Sequence, residues 1–310
     1  MHIDSGTQWV FFSASDEKRH LCDLLWCAYC VSKKWGKKFD DFHFFVDNSK
    51  ADITNTIASR FSNVNANVHG TQDFLRLPTF ISKVQTCSVI VSGHGSTDGL
   101  TYDNAGFIIK VAQFLDSIRK VIGLEFCWIV YGQCFSGLFT YTDCNKNRKQ
   151  APNEPELVQM GATEFNITGS AGIDLSSHLG GAVAGKSINL FLYFLGCFLN
   201  QPVDVDGDGS INISDCYRFC SIQQSDQDRY EKVTKLKDFQ SLFIKSSADL
   251  KNAEKELEKA KKKNDKARIS KYEGKIKDLN SKFQFHANLL TGNFKPWLLN
   301  ASTAQKVTFK

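Results

Sequence analysis

Short, unbroken apolar runs alternate with stretches of three- and four-residue apolar spacing over the first two hundred residues. "WVFF" (9–12), "FHFFV" (42–46), "SVIVSG" (88–93) and "FCWIVY" (126–131) predict strands, and "TEFNITGS" (163–170) predicts a fifth. Between them, residues 16–34, "KADITNTIASRF" (50–61) and "KVAQFLDSIRKVI" (110–122) carry helical spacing. Strands that are apolar throughout and separated by helices predict a mostly parallel sheet covered on both faces, an α/β fold in three α/β/α layers. Sheets of that kind bind ligands at the carboxyl ends of their strands.

Beyond residue 224 the pattern changes. Leu250, Ala253, Leu257 and Ala260, then Ile269, Tyr272, Ile276, Leu279 and Phe283, recur at three and four. The break at "KKKNDKA" predicts two antiparallel helices in a coiled hairpin. The expected organisation is a domain over 1–223, a basic helical hairpin over 224–290, and a tail over 291–310 returning to the sheet as an edge strand.

Composition narrows the class. The chain has 310 residues, 42% of them hydrophobic, with 5 prolines and 21 glycines, as in a globular protein rather than a disordered or fibrous one. The start "MHIDSGTQWVFF" has no basic region followed by an apolar stretch, so a signal peptide is not expected. The run "INLFLYFLGCFL" (188–199) is too short to span a bilayer and predicts a buried helix, so no membrane partner is expected. Ten cysteines without a secretion signal suggest thiols in a reducing, cytoplasmic compartment. Cys27 and Cys30 form C-x-x-C inside a helical pattern and read as packed thiols on one face; Cys216 and Cys220 keep a zinc alternative open.

The net charge is +5, and residues 251–282 alone carry twelve Lys/Arg against six Asp/Glu, so the remainder is about neutral. That distribution argues against a nucleic-acid-binding surface spread over the chain. The basic segment reads as the solvated face of the hairpin, where an activator or partner could dock.

The chemistry lies at two strand ends. "VIVSGHGSTDGL" sets His94 between two glycines, and "WIVYGQCFSG" sets Cys134 just past the next predicted strand. In a parallel sheet these ends lie side by side, and the 39 residues between them accommodate a hairpin over "DGLTYDNAGF" and one crossover helix. A thiolate nucleophile needs a neighbouring imidazole to lower its pKa or carry its proton. The amides of Gly95 and Cys134 could serve as an oxyanion hole.

These two blocks resemble those of the caspase–legumain clan of cysteine peptidases, which includes metacaspases and bacterial caspase-like domains. The resemblance covers roughly residues 8–222, with "WVFFSASDEKRH", "FHFFVDNS" and "ITGSAGIDLSS" matching further segments. It implies a caspase-like fold and a cysteine endopeptidase acting on protein or peptide substrates. His94 and Cys134 would be its dyad and the Gly95 and Cys134 amides its oxyanion hole. Gln133, Ser170 and Asp174 are then candidates for the substrate pocket. Metacaspases and legumains have an acidic residue two before the nucleophile, where this chain has Gly132, so their specificities do not carry over. The polar loop "TDCNKNRKQAPNEPE" (142–156) is a candidate autoprocessing site.

Two further motifs compete. "DVDGDGSINISD" (204–215) has the oxygen spacing of an EF-hand calcium loop, with Asp204, Asp206, Asp208, the Ser210 carbonyl and Asp215 as ligands. Aspartate at the last position reaches less far than glutamate. "GGAVAGKS" (Gly180–Ser187) satisfies a P-loop letter for letter but lacks a convincing preceding strand. The alternatives to a peptidase are therefore a catalytically silent, peptidase-like binding module and a P-loop nucleotide-binding protein. The peptidase chemistry itself requires no cofactor, and calcium is an added expectation.

Overall fold

The structure, a computed structural model, describes residues 1–47, 52–53, 67–96, 99–101, 108–134, 136–137, 151, 153–163, 170–171, 188–234, 236–291 and 296–310. They form two compact units, Met1–Gln224 with Lys295–Lys310, and Ser225–Phe294.

The first unit is built on a seven-stranded sheet. Its strands are β1 (Gln8–Ser13), β2 (Phe42–Phe45), β3 (Asn67–His69), β4 (Thr86–Ser92), β5 (Phe126–Tyr131), β6 (Glu156–Gly161) and β7 (Trp297–Leu299). Their order in the sheet is β7-β6-β5-β4-β1-β2-β3. Every pairing is parallel except β6 with β7, where the last segment of the chain returns antiparallel to the edge.

Alternation of side chains along each strand divides the apolar residues between the two faces. Trp9, Phe11, Ile90, Trp128, Val130 and Met160 join one buried cluster, with α1 (Lys18–Trp35), α3 (Leu190–Asn200) and the start of α4 (Ile213–Thr234). Val10, Phe12, Val89, Val91, Ile129 and Tyr131 join another, with α2 (Val111–Arg119) and the 3-10 segment Thr71–Thr79. Helices therefore flank a mostly parallel sheet on both sides. Each fully buried aromatic ring stabilises the fold by roughly 2–3 kcal/mol, which is why strands reading W-V-F-F and F-C-W-I-V-Y take the centre. The apolar run 188–199 forms the last two residues of a short β-pair and then α3, which packs on α1: the Trp26 indole N–H donates to the Tyr193 carbonyl at 2.9 Å.

Of the strand expected over 163–170, residues 164–169 lie outside the described residues and Ser170 opens a two-residue strand with Ala171; the sheet strand in this part of the chain is Glu156–Gly161, which was not predicted. Polar residues hid it. Gln159 lies fully buried within it because its side-chain oxygen accepts a hydrogen bond from the Tyr131 hydroxyl at 2.9 Å. The short strand β3 had no hydrophobic signature and was not predicted. Of the helix expected over 50–61, only 52–53 lies within the described residues. The expected hairpin after His94 is three-stranded, with Gly95–Ser96, Gly99–Thr101 and Ile108–Ile109 paired antiparallel.

The second unit contains α5 (Leu236–Lys262) and α6 (Lys266–Thr291), which pack on each other as an antiparallel hairpin. Ala253 and Ala260 are buried and the rings of Phe243 and Phe283 lie 5.1 Å apart. The turn is set by Asn264, with φ of 52°, and by Asp265, whose carboxylate accepts the Arg268 amide as a helix cap.

Candidate active site

Three neighbouring strands, β1, β4 and β5, end at one rim. Val91 of β4 and Tyr131 of β5 are register partners, so His94 and Cys134 each stand three residues past a matched pair. Ser13 of β1 pairs with Ser92 of β4, and the chain after Ser13 turns into α1 with Glu17 at its N-cap.

Gly95 is where the two strand ends meet. A Cβ placed there would fall 1.9 Å from the Cys134 carbonyl oxygen and 2.9 Å from Cγ of Gln133. Only a residue without a side chain lets the backbone after His94 lie against the backbone of the turn carrying Cys134. Gly132 is constrained in the same way, because a Cβ would meet Leu192 of α3 at 2.5 Å. A side chain at position 132 would therefore require Leu192 to move.

The turn carrying Cys134 is clamped on its far side. Ser136 is fully buried; its hydroxyl donates to the Thr163 carbonyl at 2.8 Å and accepts from the Trp297 indole N–H at 2.9 Å. The Gly137 amide also donates to Thr163. On the near side, the Asn189 side chain donates to the Gly132 carbonyl at 2.6 Å and accepts the Leu192 amide, capping α3. Ser170 pairs with Asn189 in a two-residue antiparallel ladder, so its backbone lies beside that clamp.

Cys134 is partly exposed, whereas Cys22, Cys27, Cys30, Cys87, Cys127, Cys216 and Cys220 are buried. Burial pushes the thiols of Cys27, Cys30, Cys127 and Cys216 well above the ordinary range, holding them protonated and unreactive. None of the described cysteines forms a disulfide.

His94 faces Glu17: its Nε2 lies 2.6 Å from a Glu17 carboxylate oxygen. Arg19 donates to the other oxygen at 2.6 Å and approaches the same imidazole nitrogen to 3.4 Å. Hydrogen bonding from Arg19, then from His94, holds the Glu17 carboxyl at about 2 against an ordinary 4.5, so it stays ionised. An ionised carboxylate only accepts, which assigns the proton of this hydrogen bond to Nε2 of His94. That leaves Nδ1 as the other ring nitrogen of His94.

Behind His94 sits His20, edge-on to it with ring centroids 5.0 Å apart and only 6% exposed. The Ser92 hydroxyl donates to the buried Asp23 carboxylate at 2.6 Å, so its oxygen is left to accept from Nδ1–H of His20 at 3.2 Å. Asp23 also accepts the Asn189 amide at 2.8 Å, tying this chain of bonds to the Gly132 clamp. Nε2 of His20 is buried without a hydrogen-bond partner, at a cost of about 1–3 kcal/mol. Glu17, His20, Asp23 and Asn189 were not found from the sequence. The only trace was the acidic–histidine spacing inside "DEKRH", which has no meaning until β1 is placed beside β4.

Gln133 is 1% exposed and both polar ends of its amide lack partners, so it is a buried residue behind the nucleophile rather than part of an open surface. Asp174, the Gly180–Ser187 segment and most of the 142–156 loop lie outside the described residues.

The acidic loop brings part of its expected set together. One carboxylate oxygen each from Asp204, Asp206 and Asp208 lies within 4.8 Å of the others. Asp215 does not join them. It is fully buried, and its two oxygens accept the amides of Val205 and Asn212 at 3.0 Å each. Asp206 is paired with Arg218.

No helix among the described residues is long and apolar enough to cross a membrane. No protein-family model matches the chain, and no curated protein matches it either.

Proposed function

We propose that the protein is a cysteine endopeptidase of the caspase–legumain type. Cys134 attacks the scissile carbonyl carbon as a thiolate, and the amides of Gly95 and Cys134 hold the developing oxyanion. His94 delivers a proton from Nδ1 to the leaving amine, which departs as the C–N bond breaks and leaves a thioester on Cys134. His94 then removes a proton from the water that hydrolyses the thioester. Glu17 is a positioning residue, fixing the tautomer and direction of the imidazole.

The observation that carries the reading is the register at the rim. His94 and Cys134 are equally displaced past paired residues of adjacent strands, with Gly95 packed on the nucleophile's own backbone. Cys134 is also partly exposed where most other thiols are buried.

Calcium is a separable part of this proposal. A cation held by Asp204, Asp206 and Asp208 would displace Arg218 from Asp206 and brace the start of α4. Activity that survives a calcium chelator would remove it. The autoprocessing loop at 142–156 and a partner at the α5–α6 hairpin rest on the sequence pattern alone.

The test is cleavage of a P1-diverse peptide library by the parent and by Cys134→Ala. The variant should lose cleavage altogether. Equal cleavage by both would sink the assignment, and a parent that binds peptides without cutting them would identify a peptidase-like binding module.

A further inference from the structure

We propose that Glu17, His20 and His94 form a binding site for a zinc ion, and that its occupation switches off the Cys134–His94 pair. One donor atom from each residue lies within 4.8 Å of the others. Zinc takes nitrogen and oxygen ligands at roughly 2.0–2.2 Å in tetrahedral geometry. Donors in such a site stand roughly 3.4 Å apart, so no gap between them needs to close by more than about 1.4 Å. Glu17 and His94 supply that movement, since their side chains are 43% and 36% exposed.

His20 is the residue that marks the site. Its Nδ1 is committed to the Ser92 hydroxyl, and Ser92 to Asp23, so Nε2 is the ring nitrogen left with no protein partner. A ligating histidine whose other nitrogen is anchored through a hydroxyl to a buried carboxylate has the support that metal-binding imidazoles use to fix their tautomer. Without an ion, this buried ring nitrogen has nothing to satisfy it. The Glu17 carboxylate already attracts a cation in the form of Arg19, whose side chain is 35% exposed and can swing into solvent when the ion enters. Glu17, His20 and His94 fill three positions, leaving a fourth for water.

The consequence for His94 follows from its tautomer. Nε2, the nitrogen facing Glu17, would lose its proton and bind zinc. A neutral imidazole metallated at Nε2 carries its remaining proton on Nδ1, the nitrogen assigned to the thiol. It can no longer accept the proton of Cys134. Zinc binding stands on the geometry alone, whereas this switching rests on the peptidase reading.

Both parts are tested on the full chain after chelator treatment. Titration with Co2+ should produce one tetrahedral d–d absorption band per chain, displaced by Zn2+. Glu17→Gln, exposed and expected to fold, should weaken Co2+ binding at least ~10-fold, as should His20→Gln. Asp206→Asn, in the acidic loop, should leave it unchanged. Absence of the band, or a band unaffected by Glu17→Gln, overturns the site whether or not the protein cleaves peptides. For the switch, Zn2+ should inhibit cleavage by the parent, and His20→Gln should need ~10-fold more. Equal inhibition of both would mean that zinc acts on the Cys134–His94 pair directly, and would overturn the switch.

Discussion

The rim at the ends of β1, β4 and β5 and the acidic loop at 204–215 both gather charged side chains, but they treat them in opposite ways. In the loop, the carboxylates are satisfied by the loop's own chain. Asp204 accepts the amides of Gly207 and Gly209, Asp208 accepts that of Ser210, and Asp215 accepts two more. Backbone amides, that of Gly209 foremost, hold the Asp204 carboxyl below its usual range. At the rim, by contrast, Nε2 of His20 and the amide of Gln133 are buried without partners. A buried polar group left unmatched destabilises the fold. The loop matches its carboxylates within its own turn, although the Asn212 side-chain nitrogen there is also unmatched, whereas the rim leaves a histidine nitrogen and a whole amide without partners.

The sharpest way to break this contrast is to separate the strand ends. Gly95→Ala should lower kcat/KM by about 100-fold, the effect of shifting a catalytic group by roughly one ångström. Circular dichroism should remain unchanged. If the alanine variant cleaves like the parent, the approach of Gly95 to Cys134 has no catalytic meaning.

Next in size is Asp215→Ala. It should destabilise the protein by about 2–3 kcal/mol in a denaturant titration, because one buried and one partly buried amide lose a charged acceptor. A near-neutral result would show that the loop is not held by its own carboxylates.

A second pair of histidines sharpens the role of the Glu17 partner. His94 has a carboxylate beside it, whereas His43 of β2 meets only His69, at 3.1 Å. Burial, then the neighbouring His69, lowers the His43 pKa from 6.5 to about 4. Between those values the unfolded chain binds the proton and the folded one does not. Stability should thus be complete above pH 6.5 and fall as the pH drops towards 4, by about 1–2 kcal/mol after allowance for partial exposure. Thermal melts of the parent and of His43→Phe across that window check it; the variant should lose this component.

The smallest effect belongs to Asp206→Ala. Its pairing with Arg218 is partly exposed and should contribute below about 1 kcal/mol.

Much of the frame was legible because burial on both faces imposes a continuous apolar code. β1, β2, β4, β5, α1, α2 and α3 all carried it. β6 did not, since Gln159 is tolerated only through a hydroxyl supplied by β5, and no local pattern announces a partner 28 residues away. His94 and Cys134 were legible as a candidate pair because glycines flank His94 and a C-x-S-G turn begins at Cys134. Glu17 and His20 were not, because their meaning depends on β1 lying next to β4.

The sequence alone determined most of the strands and helices, and which strand ends carried a thiol and an imidazole. Periodicity and residue chemistry are local properties, and they suffice for that. Tertiary structure decided which strands are neighbours, that a side chain at position 132 would meet Leu192, and that Glu17 and His20 stand beside His94. Those facts depend on distances between residues far apart in the chain, which only packing sets.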